Sequence, residues 1–354
     1  MEDYFHRDEQ DQRFYSKYLQ DRLPEHIIDA HIHINLAEHV SGVTNESIKD
    51  DWALQCGYVM PIEKARETSR ILFPGRRTDL LALPFPLEQA DMKANNDYLI
   101  RRFTGSNGGH ALMSVRPEWD LEYIERTLLE GDFSGFKPYV SFAQGIPADA
   151  IRIFDYMPHS HFEIADRYHK AVLIHLPRAA RLADPDNIRD ICTIVERYPN
   201  IRLVLAHLGR CFNLCFFEDG IRMLGDAASH IYFDTAAVIN PEVYRAAFKA
   251  LRPEQILFGT DQPILLWHGR REWTEKTYIN LCREDFPWNK HQYPEKEHEY
   301  TLFIYEQLKA ILDAVDDMGG TMVMKNQIFS ENAISVYNLN RYASDVNRRT
   351  LCRE

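Results

Sequence analysis

One aspartate and several histidines in this sequence follow short apolar runs, in positions that suit metal binding. His31 and His33 end the run HIIDAHIHI, and a strand projects residues two positions apart to the same side. Two imidazoles on one side of a strand can bind a single metal ion. Further candidates end other apolar runs: His175 follows AVLI, His207 follows LVLA and Asp261 follows ILFGT. The sequence therefore predicts one metal site built from several strand ends.

An H-x-H pair alone is weak evidence, because a chain with 15 histidines is expected to contain about one by chance. A second pair, His159 and His161, precedes an amphipathic helical pattern, and we interpret it as part of the surface or of a helix cap. The strand-end residues are stronger evidence, since closure of a barrel brings the ends of distant strands together.

The elements that must position these residues are eight short apolar runs rich in Val, Ile, Leu and Phe. Stretches with one apolar face separate the runs, which is typical of strands alternating with helices around a parallel sheet. This pattern predicts an α/β fold, a (β/α)₈ TIM barrel. The alternative is an open doubly wound sheet, but no G-x-G-x-x-G follows the first run and no P-loop is present. The predicted strands are residues 26–34, 79–85, 110–115, 134–140, 170–176, 201–207, 230–235 and 255–260.

We predict a single domain over residues 1–354, with the barrel at about 26–320. A helical N-terminal extension precedes it at 1–25, and an additional C-terminal helix follows at about 321–345. No linker or internal repeat interrupts this pattern.

Two long segments, residues 35–60 and 262–297, follow predicted strand ends on what is the catalytic face of a barrel. We expect them to form a lid and substrate pocket; packing over the barrel rim is the alternative. The aromatic residues that favour a pocket are Trp267, Trp273, Trp288 and Tyr278.

The charge balance excludes several partners. Asp and Glu outnumber Lys and Arg by 53 to 41, a net charge of -12, which offers no basic field for nucleic acid. The charged N-terminus lacks a signal-peptide core and no apolar run approaches membrane-spanning length, so we expect a cytoplasmic protein without membrane contact. The six cysteines form no C-x-x-C pair and are expected to be reduced; Cys211 and Cys215 are only a weak metal-binding pair. The sequence is compatible with homo-oligomerisation and leaves the oligomeric state open.

Six motifs, in a fixed order over about residues 26–340, carry a family resemblance: IIDAHIHI, GFKPYV, VLIHLP, LVLAHLGR, LFGTDQP and FSENAISVYNL. They resemble the amidohydrolase superfamily, in its amidohydrolase-related branch of metal-dependent hydrolases and decarboxylases. The resemblance implies that His31, His33, His175 and Asp261 bind the metal, and that Asp261 and His207 are catalytic. Three imidazoles and one carboxylate suit one divalent ion, Zn²⁺ or alternatively Mn²⁺, with a position left for water.

Basic residues near the predicted strand ends indicate an anionic small-molecule substrate. Arg116, Arg178 and Arg210 follow three of the strands, and arginine binds carboxylates through two parallel hydrogen bonds. Salt bridges to nearby Asp and Glu are the alternative.

Lys137 ends the fourth strand, where binuclear members of the superfamily carry a carbamylated bridging lysine. Its GFKPY context resembles the mononuclear branch, so we expect one metal and a lysine that contacts substrate. Asp29 supports a histidine ligand or is a buried structural aspartate.

The predicted function is hydrolysis of a small carboxylated compound, such as a lactone or amide, by metal-activated water. Non-oxidative decarboxylation is the enzymatic alternative, since the same branch performs it with nearly the same ligands. A barrel that binds a metal or ligand without catalysis is the third possibility. The presence of both Asp261 and His207 argues against it, because a structural zinc site favours a closed shell of four ligands.

Overall fold

The computed structural model describes residues 7–49, 51–85, 87–103 and 109–339. The strands are β1 His26–His33, β2 Arg77–Leu83, β3 Gly109–Ala111, β4 Met113–Ser114, β5 Gly135–Lys137, β6 Ala171–Ile174, β7 Arg202–Leu205, β8 Ile231–Asp234, β9 Ile256–Leu257, β10 Gly269–Trp273 and β11 Tyr278–Cys282. The α-helical segments are α1 Glu9–Tyr18, α2 Asn45–Lys49, α3 Trp52–Cys56, α4 Ile62–Leu72, α5 Met92–Phe103, α6 Leu121–Glu130, α7 Ile153–Tyr156, α8 His159–Arg167, α9 Pro185–Arg197, α10 His207–Arg210, α11 Leu214–Leu224, α12 Pro241–Ala250, α13 Phe303–Asp317, α14 Met322–Asn326 and α15 Asn332–Tyr337.

The strands from β1 to β9 are parallel and lie in chain order. Only Leu112 separates β3 from β4, and its amide still donates to a β2 carbonyl at 2.9 Å. The segment after β9 returns to β1, where the amide of Ala30 donates to Phe258 O (3.0 Å) and that of His33 to Gln262 O (2.7 Å). These bonds join the last strand to the first. The eight predicted strands and the predicted barrel class are thus confirmed.

Local sequence explains both kinds of element. The short strands are continuous apolar runs because a parallel sheet covered by helices is buried on both faces. The helix α9 shows how the connecting helices begin. Asp184 accepts a hydrogen bond from the amide of Asp186 at 2.9 Å, and Pro185 occupies the first turn, where its missing N–H costs nothing.

The C-terminal helix α15 closes the end of the barrel opposite the strand C-termini. The side-chain amide of Asn332 donates to Pro253 O and Ile256 O, both at 2.7 Å, at the start of β9. The predicted extra helix is present as α14 and α15 with a wider turn between them, and Asn338 ends it in a left-handed conformation. Its predicted last residues, from 340 onward, lie outside the described residues. The apolar cluster inside the barrel includes Ile28, Leu81, Leu83, Leu112, Leu173, Val204, Ala333, Val336 and Tyr337.

Asp29 supports the backbone of the first strand rather than an imidazole. The register of β1 is interrupted between Asp29 and Ile32, and there Asp29 Oδ1 accepts from the amides of His31 (3.2 Å) and Thr260 (2.9 Å). Its second oxygen accepts from the Gln262 side chain at 3.2 Å. Burial raises the pKa of this carboxyl to about 6. Asp29 therefore connects β1 to the segment after β9.

The long segment after β9 contains an antiparallel hairpin, β10–β11, that the sequence did not predict. Of the four aromatic residues expected to form the pocket, Tyr278 lines the cavity described below, whereas Trp267, Trp273 and Trp288 do not. Trp267 is fully buried with its ring 4.4 Å from that of Phe303, so it belongs to the core. The predicted pocket role therefore holds for Tyr278 alone among the four.

In the part of the chain that the structure describes, no helix is both long and apolar enough to cross a bilayer. The five described cysteines form no disulfide, and Cys352 lies outside the described residues. Within the described ranges, no group of three or more side chains close enough to share an ion includes Cys211 or Cys215.

A buried ion triad connects the N-terminal helix to the long segment after β9. His268 lies between Asp11 of α1, at 2.9 Å, and Glu284, and its side chain and that of Asp11 are fully buried. Burial alone would lower the pKa of His268, but the two carboxylates outweigh it and raise that pKa to about 9. The histidine is therefore protonated at neutral pH.

We predict that this triad makes stability depend on pH. A folded-state pKa raised from 6.5 to about 9 gives stability that is complete below about pH 6.5 and is lost as pH rises through about 9. His268→Gln should lower the free energy of unfolding by about 3 kcal/mol at pH 6.5, since it leaves buried carboxylates unpaired. Thermal unfolding of both proteins between pH 6.5 and 9.5 tests this. If the unfolding temperatures of wild type and variant change with pH by the same amount, the prediction is contradicted.

Candidate metal centre

The strand ends bring the predicted residues to one cavity of about 310 Å³. β1 supplies His31 and His33, His175 follows β6, His207 follows β7, and Asp261 lies beyond β9. All five line the cavity. The close approach of the first and last strands depends on a glycine, because a Cβ at position 259 would lie 2.6 Å from the Cβ of His31.

Each of three imidazoles is oriented through its Nδ1 atom. An acceptor at Nδ1 keeps the proton there and leaves Nε2 free to bind a cation. The pairs are His31 with Asp234 Oδ2 (2.8 Å), His33 with Pro84 O (2.9 Å) and His207 with Ala236 O (2.9 Å).

Two of these imidazoles, those of His31 and His33, direct Nε2 toward the Asp261 carboxylate. Asp261 Oδ1 lies 3.1 Å from His33 Nε2 and 3.5 Å from His31 Nε2. His31, His207 and Asp261 each offer a ligand atom within 4.8 Å of the other two. The ring centre of His175 lies 5.2 Å from that of His207, and His175 lines the same cavity. The most compact group of donors thus includes His207, which the resemblance assigned to catalysis, and omits His175.

The protonation states of these groups suit a cation. Burial acts to raise the pKa values of Asp234 and Asp261, but neighbouring imidazoles and hydrogen bonds outweigh it and hold both below the ordinary value. Burial lowers the pKa of His33 and, to about 4, that of His207. Burial, with the charge of Arg210, lowers that of His175 further. Ionised carboxylates and neutral imidazoles are the forms that bind metal.

Two of the candidate residues adopt a strained backbone. His207 and Asp261 have φ angles of 58° and 65°, in the left-handed region that favours glycine. Such conformations cost about 1–3 kcal/mol each and persist where the surroundings enforce them, often at functional sites. The amide of His207 donates to Asp234 Oδ1 at 2.7 Å, and that of Asp261 donates to His31 O at 2.8 Å.

Two of the four predicted basic residues line the cavity. Lys137 is buried with its Nζ 4.4 Å from the centre of the Tyr139 ring, and burial lowers its pKa to about 8. Arg210 is half-buried and donates to Leu176 O at 2.8 Å. Within the described chain neither side chain forms an ion pair with a carboxylate.

The other two do not line the cavity, and their prediction as substrate ligands is not supported. Arg178 forms ion pairs with Asp184 (3.0 Å) and Asp186 (2.9 Å), as the salt-bridge alternative anticipated. The guanidinium of Arg116 lies 4.1 Å from the centre of the Phe142 ring, away from the imidazoles. Closeness to a strand end in sequence did not place either side chain at the site.

The sequence model of the Amidohydrolase family matches residues 28–339. The chain belongs to the amidohydrolase family. This match confirms the superfamily that the sequence motifs predicted. A search of curated proteins finds no match.

Solved structures similar to this amidohydrolase share its fold at low identity. A probable 2-pyrone-4,6-dicarboxylic acid hydrolase of Acinetobacter baumannii has a TM-score of 0.54 at 12% identity, over 88% of this chain and 99% of that one. The 4-oxalomesaconate hydratase of Rhodopseudomonas palustris gives 0.55 at 16%, over 93% and 100%. A dihydroxybenzoic acid decarboxylase of Polaromonas sp. JS666, with bound manganese and an inhibitor, gives 0.53 at 14%, over 90% and 98%.

Two residues of this candidate site, Asp234 and Arg271, were not predicted from the sequence. Asp234 ends β8 in the motif FDT and orients both His31 and His207, and its place at a strand end was the available signal. Arg271 lines the cavity from the β10–β11 hairpin, whose position in space the sequence did not reveal.

Proposed function

We propose that this amidohydrolase is a metal-dependent hydrolase of small carboxylated compounds, such as lactones or amides. The observation that carries the proposal is the buried carboxylate of Asp261 beside the Nε2 atoms of His31 and His33, in a cavity that also presents cationic side chains.

The donor set fits one divalent ion, Zn²⁺ or Mn²⁺. Burial lowers the pKa values of His33 and His175 and favours their neutral forms, the carboxylate of Asp261 is ionised, and acceptors hold the Nδ1 atoms of His31 and His33. Following the family resemblance, we assign the ligands as His31, His33, His175 and Asp261, and we reserve His207 for proton chemistry although its donor atom lies in the most compact group. Such an ion supplies a water molecule of lowered pKa.

Two residues would handle the proton of that water. Asp261 is the proton acceptor, because its carboxylate is ionised at neutral pH. His207 carries its proton on Nδ1, held by Ala236 O, so its Nε2 accepts a hydrogen bond and orients the water. If the proton that Asp261 takes from the water passes to Nε2 of His207, whose ligand atom lies within 4.8 Å of that of Asp261, the ring would then donate a hydrogen bond to the oxyanion that forms on the substrate.

Lys137 and Arg210 would bind the substrate carboxylate. Both line the cavity, and Lys137, with a pKa of about 8, is mostly protonated at pH 7. Among the described residues neither forms an ion pair with a carboxylate, so the carboxylate of an anionic substrate would supply that partner.

Decarboxylation is the second candidate. The similar solved structures include decarboxylases, two of them with bound manganese. The cavity also holds what that reaction needs, since Lys137 offers a buried ammonium as proton donor at the carbon that loses CO₂.

Product analysis distinguishes the candidates. We expect the metal-loaded protein, screened against carboxylated lactones, amides and aromatic acids, to add one oxygen from ¹⁸O-labelled water without loss of carbon. Chelation should abolish turnover, and added metal should restore it. Release of CO₂ would instead establish the decarboxylase. Methyl esters of the same substrates are the matched control, and faster turnover of these neutral compounds would contradict the carboxylate preference.

A further inference from the structure

Arg271 projects into the cavity from the β10–β11 hairpin and is held by two hydrogen bonds. Its Nε donates to Oδ1 of Asn280, its partner across the hairpin, at 2.8 Å, and its Nη1 donates to Ala237 O at 3.0 Å. The side chain is 3% exposed and lines the same cavity as His31 and Asp261. Among the described residues Nη2 has no hydrogen-bond acceptor, so one edge of the guanidinium is left for a ligand.

No carboxylate of the described residues lies within ion-pair distance of this guanidinium, although the protein carries a net charge of -12. Aromatic rings surround it instead, with ring centres of Tyr278 at 4.2 Å, Phe212 at 4.8 Å and Phe303 at 5.1 Å. Arg178 is the contrast, because two carboxylates neutralise it. A buried charge without a partner is costly, and the cost is recovered when a ligand supplies the opposite charge.

We propose that Arg271 is a specificity-determining residue that binds a carboxylate of the substrate through its free Nη2 edge. Asn280 is the positioning residue, since it fixes the guanidinium from the opposite strand of the hairpin. With Lys137 and Arg210 already lining the cavity, a third cation indicates a substrate with more than one carboxylate. The inference rests on the proposed function for the existence of a substrate, and on the hairpin geometry for its charge.

Binding of defined probes to the metal-loaded protein tests this assignment by calorimetry. We expect isophthalate to bind about tenfold or more weakly to Arg271→Met than to wild type, because a hydrogen bond to a charged group is lost. Arg271→Lys keeps the charge but loses the planar guanidinium with its fixed pair of donors, so its affinity for isophthalate should lie between those of Arg271→Met and wild type. The affinity of Asn280→Ala should also lie between them. The uncharged isophthalamide should show no difference. The neighbouring Arg270→Met is the matched control, because Arg270 is paired with Glu272 at 2.8 Å outside the cavity lining.

The unfolding temperature separates ligand binding from a purely structural role. Arg271→Met removes a buried uncompensated charge, so its unfolding midpoint without ligand should equal or exceed that of wild type. A lower midpoint with unchanged isophthalate affinity would show that Arg271 only anchors the hairpin, and would overturn the assignment. Absence of isophthalate binding to wild type would also overturn it. Because binding needs no turnover, Arg271-dependent binding without any reaction would overturn the proposed function alone.

Discussion

Asp261→Asn is expected to reduce turnover by about a thousandfold or more while the barrel remains folded. Asparagine has nearly the same shape but cannot accept the proton of the attacking water. It also removes a negative charge that His33 and His31 contact at 3.1 and 3.5 Å. The loss should therefore appear in kcat even when metal is saturating. Steady-state kinetics in metal-replete buffer, with metal content measured on the same samples, tests this expectation.

Asp79→Asn is the matched control for that substitution. Asp79 is also a strand aspartate beside a histidine, His26 at 2.7 Å, but it lies near the start of β2, outside the cavity lining. We expect this variant to keep wild-type kcat. Full activity of Asp261→Asn with metal bound would remove Asp261 from the mechanism as proton acceptor.

Much of the fold could be predicted because its signals are local. Buried parallel strands are apolar along their whole length, so each of the eight appears as a short run such as AVLI or LVLA. The C-terminal ends of parallel strands meet at one face, which is why the sequence predicts one group of five residues: His31, His33, His175, His207 and Asp261. The cavity that all five line agrees with that grouping.

The features that the sequence did not predict depend on side-chain direction and on contacts between distant elements. Arg178 comes three residues after His175, yet the chain turns there with a φ of 66° and the guanidinium pairs with Asp184. Arg271 lies ten residues beyond Asp261 in a segment that no periodic pattern identified as a hairpin, yet it reaches the cavity. The role of Asp234 depends on contacts with His31 on β1 and with the amide of His207 at the start of α10, which no local pattern encodes.

Replacing both His31 and His33 with alanine is expected to abolish metal binding. Two of the four proposed ligands are lost, so elemental analysis should find about one equivalent of metal in wild type and none in the variant. His159→Ala with His161→Leu is the matched control. It removes the same H-x-H spacing from α8, which contributes nothing to the cavity, so it should retain the metal. Circular dichroism checks that both double variants are folded.

Asp234→Asn extends this test without removing any ligand. It weakens the support of His31 at Nδ1 and of the His207 amide, so metal affinity should fall by about 10–100-fold while the wild-type stoichiometry is kept at saturation. Unchanged affinity would mean that the imidazoles need no such support.

Two equivalents of metal in the wild-type protein would place Lys137 among the ligands, because its buried amine faces the same cavity. If supplemented wild-type protein binds no metal, the water-activation mechanism loses its basis, and Asp261 and His207 would need another role.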